Sequence, residues 1–428
     1  MNCNPKTRRG KMSWNTEISR RQFIKGVAGA GALAMTGDFI GKEAFAATKP
    51  IKISAPHPMT GPVAGFGRHS LWGLQLAAKR INAAGGIAGR KVELLVEDDA
   101  GKPAEAVRLM RKHILKDKAD FIIAGVSSAE TIPMGPVAAE LETLFMVTVA
   151  ESPIITSSKC NKYTFRLTPD ARHKAIAMAP FMVKELGVKK WQIIYWDMAW
   201  GEGMRDEFNK QLKKLGGEIV NAIPSPIGTT DFAPYLAKLE PASKVPGIIH
   251  SVAGLDSVRL GKAMGEFGIQ KKYKLVGHCC TMFADVFEEL APSIDGVYII
   301  DQYPDIRIPP TDTAWDMQFH KDFLQISKTI PPESHSWSSF ESLFIVKEAV
   351  EKVGYKSKKD TPKVIEAIEG VAGGKSANFP QGPYYIRPED HQGFLNLYIV
   401  QIKDRKERMI KVVTEREIWF PPSSKCRM

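Results

Sequence analysis

The sequence predicts an α/β chain built as two similar halves, each around a parallel sheet. Three observations predict it. Short apolar runs alternate with helical patterns along most of the chain. That alternation occurs in two successive series. The run Phe121-Ile122-Ile123-Ala124 is continuous in apolar residues, which is what a parallel strand buried on both faces requires.

The first strand is expected at residues 51–55. Leu71, Leu74, Ala78 and Ile81 recur at three- and four-residue spacing and predict a helix. It stops at Gly85-Gly86, because glycine enters the left-handed region without a Cβ penalty. A Gly89-Arg90 turn leads to a strand at 92–96, closed by Glu97-Asp98-Asp99. Further strands are expected at 121–124 and 145–149, then at 192–196, 219–222, 247–251 and 274–277. Helical patterns fall at 104–116, 171–186, 203–215 and 256–267. Residues 165–170 read Phe-Arg-Leu-Thr-Pro-Asp and look like a crossing between the halves, since proline disfavours helix in the residue before it. Residues 297–304 look like a second crossing. Helices at 312–326, 336–353 and 362–368 then fit a return to the first half. Leu343, Val346, Val350 and Val353 give the second of these a helical stripe. Residues 382–392 precede a closing strand at 397–402.

The N-terminus reads as an export signal. Ser19-Arg20-Arg21-Gln22-Phe23-Ile24-Lys25 is a twin-arginine pattern, residues 26–36 are mildly apolar, and Ala44-Phe45-Ala46 offers a small-x-small cleavage site. The apolar run is too short and too rich in glycine to cross a bilayer. The expected product is a periplasmic chain starting after residue 46. The whole chain carries a net charge of +12, of which residues 1–46 contribute eight basic and three acidic side chains, leaving a net +7. Many basic residues stand in dispersed pairs such as Lys189-Lys190 and Lys271-Lys272, which suits solvated faces. Export argues against a nucleic-acid partner, while a positive field attracts an anionic solute.

Mature length suits two domains of ordinary size. Cys160, Cys279, Cys280 and Cys426 remain after signal removal. No C-x-x-C or Cys/His ligand spacing appears, so no metal site is expected. Adjacent Cys279-Cys280 are expected reduced, because a disulfide needs a particular Cα separation and torsion. The state of Cys160 is open, the periplasm being permissive for disulfides. Neither a Walker loop, a dinucleotide fingerprint nor a G-x-S-x-G elbow occurs, so no cofactor and no catalytic residues are expected.

The wording is more specific than the periodicity. Residues 51–67, the phrase Ile81-Asn82-Ala83-Ala84-Gly85-Gly86-Ile87-Ala88-Gly89-Arg90, Trp200-Gly201-Glu202-Gly203 and Asp390-His391-Gln392 follow one another in an order that resembles periplasmic binding proteins of the leucine/isoleucine/valine type. These are solute receptors of ABC importers, and the resemblance covers nearly all of the mature chain. It implies two Rossmann-like lobes with parallel central sheets, joined by three crossovers, with a small solute held in the cleft between them. Residues 47–168 with 302–380 would form the N-terminal lobe, and 169–301 with 381–428 the C-terminal lobe. It also implies an ABC permease as partner and a monomeric receptor. A periplasmic sensor of the same fold, and a hydrolase, are the alternatives.

The expected binding residues follow. Ser127 and Ser128 lie where a strand opens a helix, the place where free N–H groups and the positive helix end meet an anion. The matching family serines hold the solute carboxylate; a simple N-cap is the competing reading. The family also uses a backbone group at Ala150 and a hydroxyl at Ser152, a position that could equally be an ordinary strand-end turn before proline. Phe66 and Trp200 match aromatic cleft walls, which suit apolar or planar solutes. The departures shift the expected ligand. The family's ammonium partner aligns with Cys279 and its assisting tyrosine with Ala253, and neither type is present. Asp256 is nearby as a substitute or a helix cap. A carboxylate without an α-amino group is therefore expected, aromatic or short aliphatic, with an amide, a urea-like solute or a branched-chain amino acid as alternatives. His57 and His278 are possible added donors.

Overall fold

The computed structural model describes residues 49–278, 290–303 and 313–428. The first sheet holds β1 (Ile51–His57), β2 (Val92–Asp98), β3 (Phe121–Ala124), β4 (Phe145–Val147) and β5 (Thr164–Arg166), in the order β2-β1-β3-β4-β5. All its pairings are parallel. Parallel neighbours need a crossover, and helices α1 (Ala64–Ala83), α2 (Pro103–Leu115) and α3 (Ser128–Glu140) supply it. The stop of α1 is the turn expected from sequence. Gly86 has φ +83°, its N–H reaches Ile81 O at 2.8 Å, and a Cβ there would lie 2.2 Å from Arg90 O.

The chain leaves this sheet at β5 and enters α4 (Ala171–Pro180), capped by Asp170. The expected helix over 171–186 is α-helical only to Pro180 and widens into one π-helical stretch, Phe181–Glu185. Pro180 has no N–H to give to the preceding turn, which accounts for the change of pitch there.

The second sheet contains β6 (Lys190–Trp196), β7 (Glu218–Ser225), β8 (Gly247–Ser251), β9 (Lys274–His278) and β10 (Tyr298–Asp301), with α5 (Ala199–Lys214), a single turn α6 (Ala233–Leu236) and α7 (Gly254–Glu266) between strands. The segment read as a second crossing thus begins as a strand; the crossing follows β10. Helices α8 (Ala314–Ser327), α9 (Ser336–Val353) and α10 (Thr361–Ile368) come next, with α8 and α9 packed against α1. A small antiparallel sheet, β11 (Ala372–Gly373), β12 (Tyr384–Ile386) and β13 (Gly393–Leu395), carries the third connection. The chain closes with β14 (Leu397–Lys403) and β15 (Lys406–Val413). β14 pairs antiparallel with both β10 and β15, so the second sheet is mixed, in the order β15-β14-β10-β9-β8-β6-β7.

The molecule is therefore two α/β lobes, each around its own sheet, traversed by three connections. Cys160, left open by the sequence, is bonded to Cys426. Cys279 and Cys280 lie outside the described residues. Among the described residues no helix is long and apolar enough to cross a membrane.

Candidate functional site

The carboxyl ends of β1, β3, β4, β6 and β8 face one cavity, as the rule for open parallel sheets anticipates. From the first lobe come Val63 and Phe66 at the start of α1, Val126, Ser127 and Ser128 at the β3–α3 join, and Val149 and Glu151 beyond β4. From the second come Trp196 at the end of β6, Met198 and Trp200 at the start of α5, and Ala253, which caps α7. The lobes approach closely here. Gly254 has φ +60°, and a Cβ on it would stand 2.5 Å from Pro62 O across the cleft.

Local sequence explains the β3–α3 edge. Ser127 is the N-cap of α3, its Oγ accepting from Ala129 N at 3.2 Å, while Glu130 completes a capping box. Glu130 Oε1 accepts from Val126 N at 2.9 Å and Ser127 N at 3.0 Å. Ser128 Oγ accepts from Ser152 N at 3.1 Å. Ser127 thus caps the helix, and it also lines the cavity.

Each indole N–H of the aromatic wall donates to a carboxylate. Trp200 Nε1 donates to Glu151 Oε2 at 3.1 Å and Trp196 Nε1 to Asp256 Oδ2 at 3.0 Å. The two rings meet edge to face with centroids 6.0 Å apart. Phe66 packs in the same manner on His335, at 5.0 Å. Glu151 is 2% exposed and joins the lobes. It accepts from Lys174 Nζ on α4 at 2.5 Å, from Gln302 Nε2 beyond β10 at 3.2 Å, and from Trp200 on α5. A buried ammonium on a buried carboxylate satisfies two charges that neither could carry alone.

Four expected residues, Phe66, Ser127, Ser128 and Trp200, come together on the cavity wall. Ala150 and Ser152 lie just behind it. Ala150 N donates to Gly125 O, and its carbonyl accepts from Arg166 at 3.2 Å. Ser152 Oγ points to Ala199 O at 3.3 Å and its carbonyl accepts from Arg166 at 2.7 Å. Asp256 is not on the wall. Besides Trp196 it accepts from Gly228 N at 2.6 Å and Arg259 at 2.9 Å, so it braces the second lobe. Cys279 falls outside the described residues. His57 is buried, bonds Ser70 Oγ at 3.1 Å, and is pushed down to about 4 by burial, so it is neutral at ordinary pH. Sequence reasoning missed Val63, Val126, Val149, Glu151, Trp196 and Met198. Position was the available signal for several of them: Trp196 ends a predicted strand, and Val149 and Glu151 end another.

Arg166 crosses between lobes behind the cavity. It is fully buried and reaches Asp170 Oδ2 at 2.6 Å, Gln392 Oε1 at 2.6 Å and Thr156 Oγ1 at 2.8 Å. Burial lowers the guanidinium to about 10, and it stays charged. Burial works against the Asp170 carboxylate, but Arg172 and Arg166 beside it hold it well below its usual range. Among the described residues one group has metal-ligand spacing, Glu97, His113 and Asp117. Lys112 already pairs with both carboxylates of that group, at 3.4 Å from Asp117.

A family model described as periplasmic binding protein matches residues 50–407. The chain belongs to the periplasmic binding protein family. A twin-arginine translocation signal model matches residues 17–37, so this periplasmic binding protein is exported by that route. It is 26% identical over 409 residues to Leu/Ile/Val-binding protein homolog 4 of Brucella melitensis, covering 92% of each chain. It is 28% identical over 345 residues to the Leu/Ile/Val-binding protein BraC3 of Rhizobium johnstonii, covering 78% of this chain and 88% of the relative. Among solved structures, an ABC transporter solute-binding protein of Rhodopseudomonas palustris BisB5, in complex with 3,4-dihydroxybenzoic acid, superposes with a TM-score of 0.76 at 24% identity, over 86% of this chain and 98% of that one. An R. palustris solute-binding protein in complex with benzoate gives 0.76 at 23%, over 85% and 96%. A Thermotoga maritima leucine-binding protein gives 0.74 at 20%, over 85% and 99%.

Proposed function

We propose that this periplasmic binding protein captures a small apolar or aromatic carboxylate and passes it to an ABC permease. The observation that carries the reading is the composition of the cavity wall. Phe66, Trp196, Trp200, Val63, Val126, Val149 and Met198 present apolar surface, and the polar groups are Ser127-Ser128 at the N-terminus of α3 and Glu151, which is paired with Lys174. A planar acid would lay its ring among the aromatics and its carboxylate at the serines and the positive helix end. Binding would select the closed arrangement of the lobes, with the three connections absorbing the rotation. The benzoates bound by two of the structural neighbours are consistent with this class of solute.

Glu151 favours a second reading, a free amino acid, because it places a carboxylate on the wall. Against it, Glu151 already receives the Lys174 ammonium. A hydrolase would need a base serving Ser127; among the described residues that line the cavity there is no histidine.

Calorimetric titration with benzoate, 4-methylpentanoate and leucine decides between the readings, with tryptophan fluorescence reporting closure. The expected order places benzoate and 4-methylpentanoate above leucine. Leucine binding much more tightly than its deaminated analogue would establish an ammonium site and overturn the reading.

A further inference from the structure

Two buried carboxyl groups stand behind the serine edge of the cavity. Asp99 follows β2 and is 1% exposed; Glu130 is in the first turn of α3 and is fully buried. One oxygen of each is engaged. Asp99 Oδ1 accepts from Gly101 N at 2.8 Å, and Glu130 Oε1 accepts from Val126 N and Ser127 N. The other oxygens, Asp99 Oδ2 and Glu130 Oε2, are buried without a hydrogen-bond partner among the described residues. Two ionised carboxylates left so would carry the full desolvation cost of both charges.

We infer that Asp99 and Glu130 share one proton between these two oxygens, which keeps a second negative charge from forming behind the Ser127-Ser128 edge and makes Glu130 a positioning residue for an anionic solute. This rests on the carboxylate reading above. Glu130 holds two amide N–H groups at the end of β3, and the loop carrying them lines the cavity. Its charge is therefore felt where the solute carboxylate would sit. Burial, then the charge of Asp99, raises the Glu130 carboxyl to about 8; burial, then Asp98 and Glu105, raises Asp99 to about 6. His57, whose carbonyl receives Asp99 N–H, is neutral in this range. Near neutral pH the pair keeps one proton, and loss of that proton adds a charge that opposes an anion.

The test uses Glu130→Gln, which preserves the capping box because glutamine offers the same acceptor to the two amides and an N–H₂ to Asp99. Asp99→Asn is the second variant, should the first fold poorly. Benzoate and its neutral isostere benzamide are titrated into the full mature protein across the pH range bracketing about 6 and about 8. Wild-type affinity for benzoate is expected to fall on the order of tenfold above the upper value, one pKa unit of coupling. Benzamide, and benzoate on Glu130→Gln, should show no such step. An equal step in the variant, or none in the wild type, overturns the inference. Ligand-free melts over the same range separate this from failure of the functional reading. A carboxyl raised on folding contributes stability below its unfolded value and loses it as pH rises through its folded value. The wild type should therefore lose stability relative to Glu130→Gln toward alkaline pH even if benzoate does not bind. Parallel melting curves would refute the shared proton whatever the solute is.

Discussion

Ser127 combines a helix cap with a place on the cavity wall. As N-cap it satisfies Ala129 N, and it also stands on the cavity wall. Ser127→Ala removes both contributions: about 1 kcal/mol of stability from the cap, and about 1.5–3 kcal/mol of affinity if it donates to a charged group. Ser127→Asp separates them. Aspartate caps as well as serine, so the melting temperature should hold, but its charge opposes a carboxylate, so calorimetry should show binding lost. Retained affinity in both variants would leave Ser127 a cap alone. Ser127 and Ser128 were legible in the sequence because they sit at a strand–helix join whose position the periodicity fixes, whereas Phe66 and Trp200 were placed by the resemblance to the family's aromatic cleft walls. Glu151 was not, although its neighbours Ala150 and Ser152 were singled out. Its significance lies in Lys174, Trp200 and Gln302, which come from three other elements and are adjacent only in the fold. Asp256 was read as a substitute ammonium partner or a helix cap; what it does depends on the approach of Trp196 and Gly228, which no local pattern announces.

Between elements, the buried pair Glu151–Lys174 is the tie from the first lobe to α4. Removing one partner leaves the other buried and uncompensated, at a cost of about 3–5 kcal/mol. Glu151→Gln and Lys174→Met are each expected to destabilise by such an amount, while the double variant should recover much of it. A double-mutant cycle by denaturant unfolding measures the coupling. Additive losses would show that the pair contributes little as a pair. The element boundaries show which strands sequence could supply. The interior strands β1, β3 and β8 are buried along nearly their whole length and were placed closely, β3 being a continuous apolar run. β15 was missed because this edge strand alternates exposed Lys406, Arg408 and Ile410 with half-buried Glu407, Met409 and Lys411, so its charged first half reads as polar turn. β5, three residues long before a crossing, gives too short a run to register.

At the scale of the whole molecule, the C-terminal tail is held against the connections between lobes. Phe420 packs on His173 of α4 and on Phe394 of β13, with ring centroids at 4.7 and 5.3 Å, and Arg172 lies 4.4 Å over its ring. The Cys160–Cys426 bond then ties this tail to the loop before β5, across a sequence separation of 266 residues. Neither cysteine is on the wall of the solute cavity. The bond also sits beside the turn whose Gln392 holds Arg166, where the lobes are already joined by buried hydrogen bonds. Its expected effect is therefore on the unfolded chain more than on closure. By loop-closure entropy a bond across more than 100 residues is worth roughly 5 kcal/mol, less any native strain. Cys160→Ser with Cys426→Ser, or reduction of the wild type, should lower the denaturant midpoint by a large fraction of the total stability. Affinity measured by calorimetry well below that midpoint should stay within about twofold, a difference under 0.5 kcal/mol. If affinity falls in step with stability, the tail governs the opening of the lobes, and the bond belongs to the binding machinery instead of the scaffold.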